Sequence, residues 1–322
     1  MTEMRDITEN NINRDLNYDE PITMDTVLSR ERKAIPGRFE GKAAVVTGGT
    51  SGIGLSIVEE LLKEGCKVGF TGRNEKTGQT AIDHLEGMGL SGFIFIQADM
   101  HKEEDCHKAV DKTYEAFGRI DYLVNNAFPF TNAARDFTTE EWMESFEGGL
   151  LAYARMMSFV SPYMIEVGGG AIVNVSSISG HIAQGSWIYN SMKGGVGMLS
   201  KSAAMDFARD NIRVNLMSPA HVWTRQTMRH FLKDGQSNEE ARNFVKFNTK
   251  GYMLNRGGEP VECAAATLFL LSDDASYITG SEFMVDGGFI ACGSQGSFDL
   301  IDVRKREYNI DPPIKPNFHE KG

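Results

Sequence analysis

Cysteine is scarce in this chain, and that scarcity narrows its chemistry. Four cysteines in 322 residues, none at a Cys-x-x-Cys spacing, give neither a disulfide framework nor a zinc-finger pattern. Cys66, Cys106, Cys263 and Cys292 read as free thiols of a reducing compartment, and a cytoplasmic location is expected. Positive charge is also in deficit: 33 Lys and Arg stand against 44 Asp and Glu, a net charge of −11. A duplex nucleic-acid binder would show basic clustering, and nothing here attracts an anionic membrane. No apolar run approaches the roughly 20 residues of a membrane span. Residues 1–38 are polar and rich in acids such as Glu3, Asp6, Glu9 and Asp15. They lack the apolar centre of a signal peptide and the acid-poor composition of a transit peptide. No cluster of His, Asp and Glu at ligand spacing occurs, so no catalytic metal is expected.

What is present is an ordinary globular balance, 41% hydrophobic and 24% charged, in a chain long enough for one large α/β core. The stretch Lys42 to Thr47 is short, apolar and β-branched, the pattern of a buried strand. Thr47-Gly48-Gly49-Thr50-Ser51-Gly52-Ile53-Gly54 follows, and then Ile53, Ile57, Val58, Leu61 and Leu62 recur at helical spacing up to Gly65. Strand, glycine-rich turn and helix together are the context of a dinucleotide site. The glycines let a pyrophosphate approach the helix N-terminus, where free N–H groups and the helix dipole favour an anion. Gly48, Thr50, Ser51, Gly52, Ile53 and Gly54 are therefore candidate cofactor residues.

A second strand, Lys67 to Thr71, leads into Gly72-Arg73-Asn74. NAD-preferring folds place an acid at this strand end, to accept from the adenosine ribose 2′-hydroxyl. Here a glycine stands in that place and an arginine follows, whose charge and bidentate geometry suit a 2′-phosphate. Arg73 and Asn74 thus favour NADP(H), with NAD(H) as the alternative.

Further strands are expected at Phe93–Ile96, Asp121–Ala127, Ala171–Val175, Ile212–Leu216 and Phe283–Val285. Helices are expected at about Glu103–Phe117, Thr138–Glu166, from near Tyr189 to Arg209, and Glu259–Leu271. This alternation implies an α/β fold: a Rossmann-like, doubly wound parallel sheet of about seven strands with helices on both faces. No repeat or linker divides residues 39–290, which read as a single domain between a polar extension at 1–38 and a tail at 291–322. The tail carries Asp311-Pro312-Pro313-Ile314-Lys315-Pro316, a polyproline-like path. Gly148 and Gly149 fall inside the long helix at a cost of roughly 1 kcal/mol each, so a local bend is expected there.

Tyr189 and Lys193 lie four residues apart on one helix face. An ammonium beside a phenol favours the phenolate, which would bring the Tyr189 pKa down towards neutrality and make it a proton donor or acceptor. Ser176 and Ser177 end the strand just upstream.

Taken together, residues 39–290 resemble the short-chain dehydrogenase/reductase family. The resemblance rests on the turn Thr47 to Gly54, Asn125-Asn126-Ala127, Tyr189-x-x-x-Lys193, Ile212-Arg213-Val214-Asn215 with Ser218-Pro219, and Asp286-Gly287-Gly288, all in the family's order. It implies hydride transfer between a nicotinamide and a carbonyl or secondary alcohol, with Tyr189 moving the proton and Lys193 holding the nicotinamide ribose. It implies a substrate-facing serine; spacing to the tyrosine selects Ser176 and the strand end selects Ser177, which is preferred. It places Asp99 and Asn125 by the adenosine half of the cofactor and Val222 and Thr224, after Pro219, at the nicotinamide carboxamide, and it counts Met100, Ala127 and Pro219 among the cofactor-binding residues. A homodimer or homotetramer is also implied.

Three positions depart from the family pattern. Phe128 replaces the glycine of Asn-Asn-Ala-Gly, Gly149 stands where the family's helical asparagine supports a water-linked proton relay, and Ala220 replaces a glycine. The substrate loop spans about 221–256 and is rich in apolar and aromatic residues, among them Trp223, Met228, Phe231, Phe244, Phe247, Tyr252 and Met253. With Phe128, Phe130, His181 and Trp187 on the opposite wall, it suits a bulky hydrophobic substrate. The leading expectation is an NADP(H)-dependent carbonyl reductase or alcohol dehydrogenase. The alternatives are a C=C reductase of enoyl or dienoyl thioesters and a non-catalytic dinucleotide sensor.

Overall fold

Seven short apolar segments pair into one all-parallel sheet. In the computed structural model, which describes residues 32–131, 133–183, 185–224, 252–254 and 257–292, these are β1 (Ala43–Val46), β2 (Lys67–Gly72), β3 (Phe93–Gln97), β4 (Tyr122–Asn125), β5 (Gly170–Val175), β6 (Ile212–Pro219) and β7 (Glu282–Val285). The order across the sheet is β3-β2-β1-β4-β5-β6-β7. Parallel neighbours need crossovers, and helices supply them. They are α1 (Gly52–Lys63), α2 (Glu75–Gly87), α3 (Glu103–Phe117), α4 (Thr139–Ser145), α5 (Ala152–Glu166), α6 (Trp187–Phe207), α7 (Pro260–Leu271) and the single turn α8 (Phe289–Cys292). None of the described helices is long and apolar enough to cross a membrane.

Side chains alternate across each strand and feed two cores. Ala44, Val46, Val68, Phe70, Ala171 and Val173 pack against α1, α2 and α7. Val45, Leu123, Ile172 and Val214 face the other way, onto α3, α5 and the end of α6. Every strand's C-terminal end lies on the same edge of the sheet. The chain leaves β1 towards β2 on one side and returns as β4 on the other, which opens a crevice above these two strands.

Two elements differ from the sequence expectation. Helix α2 was not anticipated; its buried positions Thr77, Ala81 and Leu85 are four apart, but the rest of it is polar. Asn74 starts it by accepting from the Thr77 backbone N–H at 3.2 Å. The expected single helix Thr138–Glu166 is broken: Phe146–Leu151 form a π-turn between α4 and α5. The bend expected from Gly148 and Gly149 is this insertion, a common cause of kinks in helices.

At the far end of α1 the chain is anchored by charge. The guanidinium groups of Arg32 and Arg38 both bond the fully buried Glu64 carboxylate, and Arg32 also reaches Glu60 at 2.6 Å. The Arg32 guanidinium loses hydration on burial, but its bonds to Glu60 and Glu64 more than offset that and raise its pKa. Residues 1–31, most of the expected substrate loop (225–251) and residues 293–322 lie outside the described residues.

Candidate active site

The glycine-rich turn is built from both sides. Gly48 and Gly52 take φ of 66° and 56°, in the left-handed region, which favours glycine. A Cβ on Gly54 would fall 2.2 Å from the Gly48 carbonyl oxygen. From β2, the Thr71 hydroxyl accepts from Gly48 N–H at 3.2 Å, and the Thr71 carbonyl accepts from Gly49 N–H at 2.9 Å. From β4, the Asn126 amide donates to the carbonyls of Thr47 and Gly48 at 3.0 and 3.1 Å. The Thr47 hydroxyl accepts in turn from the N–H groups of Asn126 and Ala127. Asn126, Thr47 and Thr71 were not among the sequence's candidates. Their signal was a polar side chain at the end of each apolar strand bordering the crevice.

The turn fits a dinucleotide. Ser51 sits at the N-cap of α1 without a side-chain cap bond, and the first turn of α1 contains no acid. The helix end therefore keeps its affinity for an anion. Thr224 lies against Gly52, its methyl carbon 3.3 Å from where a Cβ would stand. A Cβ on Gly72 would come within 2.5 Å of Thr50, so the acid of NAD-preferring folds has no room at this strand end. Arg73 beside it is exposed. Val222 bridges to Gly258, and Trp223 packs over Gly257.

Several expected cofactor residues also hold the scaffold together. The Asn125 side chain is fully buried and donates to the Asn174 side-chain oxygen at 2.9 Å, tying β4 to β5. Met100 is in the core beside α3. The Asn74 side chain is used as the cap of α2. The Asp99 carboxylate bonds the His101 ring at 2.7 Å. Burial raises the Asp99 pKa, yet the bonds from His101 outweigh it and leave the carboxyl below its ordinary value.

The opposite wall is organised by the start of α6. The Ser186 hydroxyl caps this helix, accepting from Tyr189 N–H at 3.1 Å. The same hydroxyl reaches the carbonyls of Thr131 and Ala133, both at 3.3 Å, which ties the loop after β4 to the helix. Tyr189 is part-buried, its ring stacked on Phe130 at 5.4 Å between centroids and meeting Phe128 edge-on at 5.7 Å. The Ser177 hydroxyl lies close enough to the phenol to favour its ionised form. The Ser177 hydroxyl is itself set by Ser179, whose N–H it accepts from at 3.1 Å. Ser176 turns away and donates to the Lys193 carbonyl. Of the two serines, the geometry brings Ser177 to Tyr189.

Lys193 is buried, and its ammonium donates to the Val175 carbonyl at 2.9 Å. The Tyr153 hydroxyl donates to the same carbonyl at 3.1 Å. The Lys193 nitrogen stands 3.7 Å from the Phe128 ring centroid and 5.7 Å from that of Tyr189. Burial pulls the Lys193 pKa down to about 7. Burial likewise pushes Tyr189 up to about 12, against the lowering influence of the Ser177 hydroxyl. The sequence expectation of an ammonium lowering the phenol pKa is thus corrected. In this geometry the ammonium is spent on Val175 and Phe128, and the phenol keeps its proton at neutral pH.

The remaining substrate candidates divide. Phe128 lies against both Tyr189 and Lys193. The Trp187 ring is 54% exposed at the mouth of α6, tilted against Phe137. His181 is drawn off instead: its ring bonds Glu282 at the start of β7, at 2.8 Å, and Ser218 donates to the same carboxylate oxygen.

Residues 48–290 match the family described as enoyl-(acyl carrier protein) reductase. A dehydrogenase/reductase SDR family member 4 from Caenorhabditis elegans is 37% identical over 254 residues, covering 78% of this chain and 96% of the relative. An NADP-dependent (R)-specific alcohol dehydrogenase from Lentilactobacillus kefiri is 35% identical over 266 residues, covering 79% of this chain and 98% of the relative. Among solved structures, ligand-free aldohexose dehydrogenase from Thermoplasma acidophilum superposes with a TM-score of 0.71 at 28% identity, covering 80% of this chain and 97% of that one.

Proposed function

Because the chain belongs to the short-chain dehydrogenase/reductase family, NAD(P)-dependent oxidoreductases of CH–OH and C=O groups, we propose that it is an NADP(H)-dependent reductase of a bulky hydrophobic ketone. One observation carries the reading: the Ser177 hydroxyl lies on the side of a Tyr189 phenol that burial keeps protonated at neutral pH. A hydroxyl pair of this kind polarises a carbonyl oxygen and then supplies its proton.

The nicotinamide dinucleotide, when bound, supplies the hydride. Gly48, Thr50, Ser51, Gly52, Ile53 and Gly54 would cradle its pyrophosphate, with Ala127, Pro219, Val222 and Thr224 around its nicotinamide half. Arg73 would meet the 2′-phosphate, a preference supported by the absence of room for an acid at Gly72. Lys193 would bind the nicotinamide ribose through its ammonium. Ser177 would hold the substrate oxygen while Tyr189 delivers a proton to it from its hydroxyl. Phe130, 60% exposed and stacked on Tyr189, supports an apolar substrate, as does the exposed Trp187 ring.

A second reading, reduction of a C=C bond in an enoyl thioester, is favoured by the description of the matching family. The pairing of Ser177 with a protonated Tyr189 supports the carbonyl reading over it. Turnover of a ketone panel and of enoyl thioesters, each with NADPH and NADH, tests the proposal. Ketone reduction with NADPH that is lost in Tyr189→Phe supports it. Tighter binding of NADH, read by fluorescence titration, would overturn the cofactor assignment. Turnover of thioesters alone would overturn the substrate class. Gel filtration with light scattering checks the expected homodimer or homotetramer.

A further inference from the structure

The two departures in this site, Phe128 and Gly149, are one arrangement. A Cβ on Gly149 would fall 2.6 and 2.7 Å from two atoms of the Phe128 ring, so the glycine is what admits the ring. The ring is wedged between two small clusters, one of Ala133, Ile188 and Met192, the other of Tyr153, Val196 and Leu216. It cannot swing aside without opening a gap in either. Its face points at the Lys193 ammonium, 3.7 Å from centroid to nitrogen, well inside the range of a cation–π contact.

Lys193 has few other partners. Val175 contributes a carbonyl from β5, and Tyr153 approaches from α5 at 5.8 Å between ring centroid and nitrogen. Tyr189 on α6 itself stands at 5.7 Å. Among the described residues no carboxylate forms an ion pair with Lys193, and burial alone is resolved as acting on its charge. A buried ammonium without a counter-ion loses its proton unless something favours the charged form. The π-turn buries Gly149 against the Phe128 ring, while Gly148 faces His101.

We propose that Phe128 is a positioning residue for Lys193: its ring face holds the ammonium charged and aimed, in the place that a hydrated polar side chain would otherwise occupy. Proton exchange between Tyr189 and solvent then bypasses the Gly149 side of the site, because the ring and the glycine leave no polar side chain there. The catalytic consequence rests on the reading of Tyr189 and Lys193 as the reactive pair. The holding of the charge does not.

The test separates the two. Protein carrying 13C at lysine Cε is titrated by NMR without substrate or cofactor, and the Lys193 midpoint is followed. Phe128→Leu keeps the site apolar and removes only the π face. It is expected to lower the midpoint by about one pH unit, the worth of a desolvated cation–π contact. Phe128→Trp, the conservative variant, is expected to bring the midpoint back to within a few tenths of wild type. Gly149→Ala, which pushes the ring off the ammonium, is expected to lower it as Phe128→Leu does. If Phe128→Leu does not fold, the Gly149→Ala titration decides alone. In parallel, the alkaline limb of kcat/KM for reduction moves down by the same amount in Phe128→Leu. An unchanged or raised Lys193 midpoint overturns the proposal, whatever the activity. A shifted midpoint with no movement of the kinetic limb leaves Phe128 holding the charge and overturns its part in catalysis.

Discussion

Replacing Gly149 with alanine should destabilise a helical position where alanine normally helps. The π-turn places Gly149 so that a new Cβ lies 2.6 Å from Phe128 Cε2 and 2.7 Å from Cζ, about an ångström inside ordinary carbon contact. The ring is packed on several sides, so relief requires an off-rotamer Phe128 or a backbone shift. Overpacking of this kind costs about 1–3 kcal/mol. Helix propensity returns at most about 1 kcal/mol of that. The net expectation is a loss of up to about 2 kcal/mol. Gly197, in α6, is the control: a Cβ there meets nothing within 4 Å. Gly197→Ala should therefore stabilise by about 0.5–1 kcal/mol through the backbone alone. Urea unfolding of both variants, with the slopes compared as well as the midpoints, reads the difference. Adding Phe128→Leu to Gly149→Ala should recover most of the loss, as contacting residues do in a double-mutant cycle. If Gly149→Ala and Gly197→Ala raise stability alike, the ring does not sit against the glycine and the reasoning fails.

Three further outcomes follow from named contacts. Ser177→Ala should lower kcat for reduction roughly 10²-fold, whereas Ser176→Ala, whose hydroxyl serves only the Lys193 carbonyl, should stay close to wild type; equal losses in steady-state assays would refute the choice between them. Lys193 has a folded pKa near 7 against 10.5 for the free side chain, so between those values the unfolded chain binds more protons. The stability this group allows is full above 10.5 and is lost as pH falls towards 7; Lys193→Met removes the dependence, so its stability relative to wild type should rise as pH is lowered through that window in denaturation curves. Glu64→Gln leaves Arg32 and Arg38 without their buried carboxylate and should cost about 3 kcal/mol in urea unfolding; a change under about 0.5 kcal/mol would mean that solvent already screens the cluster.

Much of the scaffold was legible because it depends on short-range pattern. The apolar run Lys42–Val46, the glycines after it and the periodic Ile57, Val58 and Leu61 specify strand, turn and helix without reference to the rest of the chain. Tyr189 and Lys193 were legible for the same reason, since helical spacing alone brings them to one face. Helix α2 was not, because only Thr77, Gly78, Ala81 and Leu85 of its 13 residues are buried and its outer face is polar. Asn125 ties β4 to β5, while its neighbour Asn126, given no role by the sequence, clasps the glycine-rich turn. Which of two adjacent asparagines points into the sheet and which into the crevice is settled by strand register, which two identical neighbouring residues do not carry. The direction of the Tyr189 pKa was misjudged from spacing because proximity in sequence says nothing of where the ammonium is aimed. The bond from His181 to Glu282 joins residues 101 positions apart, which no local pattern announces.

The turn from Thr47 to Gly54 has a consequence for the tempo of binding. Its backbone amides at Gly48 and Gly49 are already engaged by β2, and Asn126 clasps its carbonyls from β4. The ordering entropy of this loop is spent when the sheet forms, so an arriving ligand meets a finished receptor. Association should then proceed in a single concentration-dependent phase, governed by encounter and electrostatic attraction rather than by loop rearrangement. The same bonds make the turn report on the sheet: amide hydrogen exchange at Gly48 and Gly49 should be as slow before ligand is added as that of the strands that hold them.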